Sequence, residues 1–497
     1  MSRTPPPPPS VVIVGGGLAG LATAATLVDR GLRITLLESR PRLGGRASSF
    51  NDPTTGELVD NCQHVSMVCC TNLADFCRRV GIDGLFRREP AITFLGPDGR
   101  TSELRAGIGP APFHLSGSFL RAKYLNWRDK IRVGYGLARL ALDEQAAESN
   151  EPFADWLIRN GQNVRTMVLF WGTVLVSALN ERLDQMDVGL ARQVFVDGFL
   201  MNREGFQMEV PSAPLGELYG LRLESWLRER GVDVRLTTGV RTIDGDDGAS
   251  VRGVTLRNGE TIPADFVVAA VPFDRIPGLL DPTLRPLVPG LDSLGQMESS
   301  PITGVHLWFD KPVCPFDHVV APGRFVHWVF NHTALQGRGG DNGGQYLQIV
   351  ISASYDLLWM NKEMIRDAVL ADLAAMWPAA KAATLTHWRV VTEHGATFAA
   401  RPGVDALRPS QRTPVDGLFL AGDWTDTGWP ATMEGAVRSG YLASQGILED
   451  LDRPARLLRP DLPPDRLASR LLSRRTALRF APDFEECAVE PSEGPQT

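Results

Sequence analysis

Residues 11–46 constrain the fold more than any other stretch of the chain. They read VVIVGGGLAGLATAATLVDRGLRITLLESRPRLGGR. Val11, Val12, Ile13 and Val14 are β-branched and suit a buried strand. Gly15, Gly17 and Gly20 follow in G-x-G-x-x-G spacing, and Leu21, Ala24, Ala25 and Val28 then share one helix face. Gly31 ends that helix, residues 34–37 make a second strand, and Glu38 stands at its end. In such a unit Gly15 allows the tight strand-to-helix turn. Gly17, lacking a Cβ, lets a pyrophosphate approach the backbone, and Gly20 permits close helix–strand packing. The helix N-terminus offers free N–H groups and partial positive charge to phosphates. Glu38 is placed to accept hydrogen bonds from a ribose. A lone G-x-G-x-x-G is weak. Within strand–turn–helix–strand, with the acidic residue in place, it predicts a dinucleotide site in an α/β fold.

The chain has 497 residues, too many for one compact core and suited to two domains. A net charge of −7 gives no global basic field and points away from nucleic acid. Six cysteines, at 62, 69, 70, 77, 314 and 487, are too few and too clustered for a secreted disulfide framework. The first four lack C-x2-C or Cys/His spacing, so no metal site is expected and they read as small buried residues, with Cys70 and Cys77 on one helix face. The N-terminal MSRTPPPPPS is Pro-rich without the apolar core of a signal peptide, and the run 167–179 is too short and interrupted to span a bilayer. The expected compartment is the cytoplasm.

The pattern predicts a cofactor domain and a substrate domain interleaved in sequence. Residues 1–10 are expected to form a disordered tail. The cofactor domain is expected from 11–95, 215–290 and 395–450, and the substrate domain from 96–214 and 291–394. After residue 46, strand and turn lead to a helix over 66–80 with Val68, Leu73, Phe76 and Val80 on one face. Residues 92–95 and the Pro97-Asp98-Gly99 turn predict a hairpin. Residues 110–210 are mostly helical and aromatic-rich, with Phe170, Trp171 and residues 174–176 as core or pocket wall. Residues 216–230 predict a helix, and 232–236, 251–256 and 265–272 strands. Strands at 302–309, 324–330 and 346–352 and a helix over 361–377 build the substrate sheet.

Two stretches carry basic residues among apolar ones. Residues 119–139 hold Arg121, Lys123, Arg128, Lys130, Arg132 and Arg139. They suit either a solvated helix pair or a surface that meets a membrane. Residues 465–480, in the C-terminal tail 451–497, align Arg466, Arg470 and Arg474 at i, i+4 spacing. This is either a solvated helix or a short helix on anionic lipid. Residues 485–497 read as disordered.

A second cofactor motif lies far downstream. Residues 417–424, GLFLAGDW, are a buried strand followed by Gly422-Asp423, and TDTGWPATMEGA leads into a helix reaching about residue 448. Its N-terminal amides could stabilise negative charge on a reduced flavin ring. Together with Gly44-Gly45-Arg46, whose arginine suits a clamp on pyrophosphate, this motif resembles the signature of the flavin amine oxidase and phytoene desaturase superfamily. The resemblance implies FAD on a Rossmann-like (GR2-type) domain with an interleaved α+β substrate domain. It assigns cofactor contacts to Gly15, Gly17, Leu18, Ala19 and Gly20, to Glu38, Ser39 and Arg40, and to Gly45 and Arg46. Val240 would bracket the adenine, and Gly422, Asp423, Ala431, Thr432 and Met433 would complete the site.

Within the superfamily, Asp60-Asn61-Cys62-Gln63-His64-Val65, Thr71-Asn72-Leu73, Phe170-Trp171, Leu179-Asn180-Glu181, Ala396-Thr397-Phe398 and Pro430-Ala431-Thr432 are similar to the squalene-associated branch, the hydroxysqualene dehydroxylases. Cys62 departs from the glycine usual there. Amine oxidases usually carry a tyrosine where Thr432 stands and a lysine in the strand through Gly304-Val305-His306, and both are missing. The resemblance implies reductive loss of an allylic hydroxyl, giving squalene for hopanoid synthesis, with an isoprenoid lipid substrate, an electron donor that the sequence does not identify, and peripheral membrane contact. The leaving oxygen needs an acid. His64 suits that role by its titration range, with Gln63 orienting substrate or flavin. Trp171 or Phe398 could face the allylic cation. The main alternative is a carotenoid or phytoene-type desaturase or isomerase, in which oxidised FAD accepts hydride. An amine oxidase, and an escort protein for prenyl lipids without redox chemistry, are further readings.

Overall fold

The computed structural model describes residues 7–143, 145, 150–246, 249–338 and 343–472. A five-stranded parallel sheet forms from three separate parts of the chain, in the order Asp233–Arg235, Arg33–Leu37, Ser10–Val14, Phe266–Ala269, Leu418–Leu420. The first strand is central, with Val11 paired to Ile34 on one side and Phe266 on the other. Its residues alternate between two cores: Val12 and Val14 enter one, Val11 and Ile13 the other. Burial on both faces explains why the strand is apolar without alternation.

Two helices cover one face. Leu18–Leu27 is entirely buried, and Met433–Asp450 crosses it at Gly440. A Cβ on Gly440 would lie 2.4 Å from the Ala19 carbonyl oxygen, and Thr26 and Ser444 share a hydroxyl hydrogen bond of 2.7 Å across the crossing. Small residues on both helices permit this approach. The strands Val240–Gly245, Val251–Leu256 and Thr261–Pro263 form a separate antiparallel sheet, with Gly259 at φ 92° in the expected Asn258-Gly259 turn.

A second, seven-stranded sheet runs Leu385–Phe398, Ser299–Phe309, Gln345–Ser352, Trp328–Asn331, His318–Val320, Ala91–Leu95, Thr101–Arg105. The helix Lys362–Met376 covers one face through Ile365, Val369, Leu373 and Met376 at helical spacing. Asn361 caps it by accepting from the Met364 N–H, so it lies just outside the helix expected to begin there.

Several expectations need correction. Ala91–Leu95 belongs to the seven-stranded sheet rather than to the cofactor segment drawn to residue 95, because Phe94 pairs with Val320. Leu385–Phe398 likewise runs unbroken across the boundary drawn at 394/395. The helix expected over 66–80 covers only Thr71–Arg79, because Ser66–Met67 pairs as a strand with Met208 and Glu209. Val68 is therefore off the helix face, and Cys70 is its N-cap residue. The strand expected at 324–330 is Trp328–Asn331, because Arg324 turns to pair with Asp372 at 3.0 Å. The stretch expected as one helix at 216–230 opens with a π-helical segment, Gly216–Arg222, before Leu223–Glu229. Of the C-terminal basic stretch, only Ala468–Leu471 is a described helix; Arg474 and residues 485–497 lie outside the described residues.

Candidate functional site

The first motif forms a cradle set by backbone conformation. Gly15 has φ 113°, and a Cβ there would lie 2.3 Å from the Ala270 oxygen. A Cβ on Gly20 would lie 2.0 Å from the Gly15 oxygen, which is why helix and strand can pack only with glycine. A Cβ on Gly17 would meet nothing closer than Gly45 Cα at 3.9 Å, so Gly17 faces open space at the helix N-terminus, beside Leu18 and Ala19. Gly44 donates to the Gly16 carbonyl at 2.8 Å, which pins the Gly44-Gly45-Arg46 loop against the cradle. Open space between two glycine loops at a helix N-terminus fits the pyrophosphate of a dinucleotide.

Glu38 is buried, and its carboxylate accepts from the Gly16 N–H at 2.8 Å, the Arg40 N–H at 2.8 Å and the Ser39 hydroxyl at 3.1 Å. It therefore fixes the loop at the end of the strand, where the sequence reading expects the ribose. The 237–240 segment runs alongside: Thr237 and Thr238 donate to the carbonyls of Arg40 and Glu38, which brings buried Val240 near the expected adenine end.

The downstream motif meets the first. Arg46 pairs with the buried carboxylate of Asp423 and donates to the Ala396 carbonyl at 2.9 Å. The arginine expected to clamp pyrophosphate thus joins two motifs almost four hundred residues apart. Gly422, at φ 153°, has no room for a Cβ beneath the Trp424 ring. Thr432 is the N-cap of Met433–Asp450, accepting from the Gly435 N–H at 3.1 Å, with Ala431 just before it and the Met433 sulfur 4.0 Å from the Tyr219 hydroxyl.

Three residues outside the sequence reading hold this arrangement. The buried guanidinium of Arg408 donates to the carbonyls of Asp423, Thr425 and Trp429 and so shapes the loop between Gly422 and Pro430. Glu434 is fully buried and caps the helix Thr71–Arg79 from another part of the chain. It accepts from the Asn72 N–H at 3.2 Å and the Leu73 N–H at 2.7 Å, and Arg438 lies 3.6 Å away. Burial raises the Glu434 carboxyl above its usual range. The repeated arginine and glutamate among small residues at 408, 434 and 438 were the available signal.

Gln63 and His64 follow the strand Leu58–Asp60. The Asn61 amide donates to the Arg46 carbonyl at 2.5 Å, bringing this segment to the cofactor loop. On the other side it passes the substrate sheet at Gly304, where a Cβ would come within 3.1 Å of the Asn61 oxygen. A side chain at Gly304 would press on this segment, and no lysine stands in the strand at residues 304–306. His64 Nδ1 lies 2.9 Å from the Cys62 carbonyl. A carbonyl only accepts, so Nδ1 carries the proton in neutral histidine and Nε2 keeps its lone pair. Burial lowers the His64 pKa, outweighing the Cys62 hydrogen bond that raises it, and the charge of Arg46 adds to the lowering. This favours the neutral form near pH 7 and runs against the acid role expected from the sequence. The Gln63 amide donates to the His64 carbonyl at 3.0 Å, while its buried oxygen has no partner among the described residues.

Trp171 and Phe398 are buried structural residues. Trp171 donates to Gln162 at 2.9 Å, and Phe398 packs under the Arg408 guanidinium. Phe170, by contrast, is partly exposed at an apolar cleft with Phe119, Leu169 and Val174. Two π-helical segments, Met167–Gly172 and Val194–Leu200, bring Phe170 into stacking with Phe195 at 5.8 Å. A neighbouring cleft of about 300 Å³ is lined by Val168, Thr173, Val176 and His327.

Cradle and paired motifs together define an FAD-dependent oxidoreductase. The family of flavin containing amine oxidoreductases matches residues 18–448, and the chain belongs to it. It is 29% identical over 458 residues to a 15-cis-phytoene desaturase of an Oncidium hybrid cultivar, an alignment covering 88% of this chain and 77% of that one. It is 27% identical over 476 residues to the zeta-carotene desaturase of Synechocystis, covering 88% and 96%. An oxidoreductase from Methanosarcina mazei shares the fold with a TM-score of 0.67 at 16% identity, over 88% of this chain and 100% of that one.

Proposed function

We propose that this enzyme dehydrogenates a linear polyisoprenoid hydrocarbon of the phytoene type. The observation that carries the reading is similarity to carotenoid desaturases along nearly the whole chain, and it favours the alternative over the dehydroxylase expected from local motifs. The apolar cleft at Phe170 and the absence of a lysine from residues 304–306 agree with a hydrocarbon rather than an amine. Bound FAD supplies the acceptor for a hydride. The adjacent carbon must then lose a proton, and neutral His64 offers Nε2 to take it. The buried Gln63 oxygen orients a group beside it. Such a reaction would need an external electron acceptor, in place of the donor that dehydroxylation requires.

Reductive dehydroxylation of hydroxysqualene is the second reading, favoured by the match of residues 60–65. It needs His64 protonated, against its lowered pKa. One experiment separates them. Oxidised enzyme is mixed with 15-cis-phytoene, and reduced enzyme with hydroxysqualene, across pH. Desaturation predicts product only from phytoene, with kcat/KM holding at neutral pH and falling as His64 protonates below the usual histidine range. His64→Ala should cost about a hundredfold or more. Squalene formation from hydroxysqualene alone would overturn the proposal.

A further inference from the structure

Next to both clefts the surface carries an exposed apolar array on three helical stretches. Phe113 and Leu120 flank and end the short helix Ser116–Arg121. Trp127, Ile131, Tyr135 and Leu142, on the helix Trp127–Leu142, are 64%, 62%, 56% and 65% exposed. Val164 and Val168 lie at the start of the helical stretch that follows Phe153–Arg159. These elements are fastened together: Lys130 Nζ donates to the Leu120 carbonyl at 2.6 Å, Arg165 pairs with Asp129 at 2.8 Å, and Gln162 donates to the Arg132 carbonyl at 2.7 Å.

The helix Trp127–Leu142 is amphipathic with its apolar stripe outward. At about 100° per residue, Trp127, Ile131, Tyr135, Ala138 and Leu142 fall within roughly 80° of one another. Arg128, Arg132 and Arg139 flank the stripe on one side and Lys130 on the other. Asp129, Val133, Gly136 and Leu140 face the core. From residue 116 to 142 the only acidic side chain is Asp129, which is buried and paired, although the whole chain has net charge −7. A two-fold dimer through this face would set like charges against each other. An apolar stripe between rows of cations complements the acyl boundary and phosphate layer of an anionic bilayer. Val168, in the array, also lines one cleft, and Phe119 beside Leu120 lines the other.

We propose that this face rests on anionic lipid, with the helix Trp127–Leu142 lying in the headgroup plane and the clefts opening toward the acyl chains. The opening of the clefts rests on the polyisoprenoid reading; the docking does not. The test is co-flotation of the FAD-loaded full chain with phosphatidylcholine vesicles, with and without phosphatidylglycerol, at low and high salt. Wild type should bind the anionic vesicles, less so at high salt. The Ile131→Glu, Tyr135→Glu double variant should lose about tenfold or more of that binding, with flavin content and Tm unchanged. Flotation equal to wild type would overturn the proposal. So would a wild-type dimer without vesicle binding that the variant dissociates, which assigns the face to a second copy. Binding lost only on deletion of residues 473–497 would move the contact to that tail and also overturn it. Because flotation uses no isoprenoid, vesicle binding without phytoene turnover defeats the substrate reading alone. Turnover in detergent without vesicle binding defeats this proposal alone.

Discussion

The cofactor cradle and the clefts around Phe170 are built by different means. In the cradle, Gly15, Gly20 and Gly422 sit where a single added carbon would strike a carbonyl or an indole, and the shape is written in the main chain. Around the clefts, Phe170, Phe195, Phe119 and Val174 set the shape by side-chain volume, on helices loosened by π turns. The first kind of site tolerates almost no substitution and keeps one ligand. The second can be resized without losing the fold, which suits a scaffold shared by enzymes of different substrates.

That contrast is sharpest at Gly20. Gly20→Ala places a carbon 2.0 Å from the Gly15 oxygen, and the expected cost is about 3 kcal/mol or more. Purified protein should lose nearly all flavin absorbance, and a variant that keeps it would break the comparison. The link between motifs comes next. Asp423→Asn and Arg46→Met should each weaken FAD binding about tenfold or more by titration, and together by less than the product of the two, with a coupling of about 1–2 kcal/mol.

Acid should attack the substrate half first. Burial holds His306 to about 3, and His327 and His332 to about 4, and all three lie in or beside the seven-stranded sheet. Their folded values lie below the unfolded one. The unfolded chain therefore takes up protons first as pH falls below about 6.5, and stability present at neutral pH is lost on acidification. Each histidine costs up to about 1.4 kcal/mol per pH unit until its folded value is reached. Tm measured at pH 7 and pH 5 should fall sharply, and replacing His306 by Gln should flatten the slope. The smallest effect is expected from Phe170→Leu. Stability should change by less than about 1.5 kcal/mol, flavin content should not change, and KM for the isoprenoid should shift a few-fold. Loss of flavin there would erase the distinction between the two regions.

The same contrast explains what could be read from the sequence. Gly15, Gly17, Gly20 and Gly422 were legible because each stands in a short strand–turn–helix or strand–turn pattern, and so was Glu38 at the end of its strand; that Thr432 caps its helix was not read. Long-range pairing was not legible either. The sheet that Ala91–Leu95 joins depends on Val320, and the start of the helix at Thr71 depends on Glu209 and Glu434. Arg408 shapes the second motif through carbonyls that no local pattern announces. For His64 the residue was visible but its protonation was not, because that depends on the Cys62 carbonyl, burial and Arg46.

The cap that Glu434 places on the helix Thr71–Arg79 also orders events during synthesis. The Leu73 amide is made 361 residues before its acceptor. At about 5–20 residues per second the ribosome takes roughly 20–70 s to supply it. Throughout that interval the central strand Ser10–Val14 also lacks its neighbour Phe266–Ala269 for much of the time, and the sheet lacks Leu418–Leu420 until near the end. The nascent chain therefore carries a flavin cradle that cannot close, and a ribosome that stops short of residue 434 releases a product with an uncapped helix and an unpaired parallel strand. Such truncated chains should be captured by chaperones or degraded rather than accumulate as half-active enzyme.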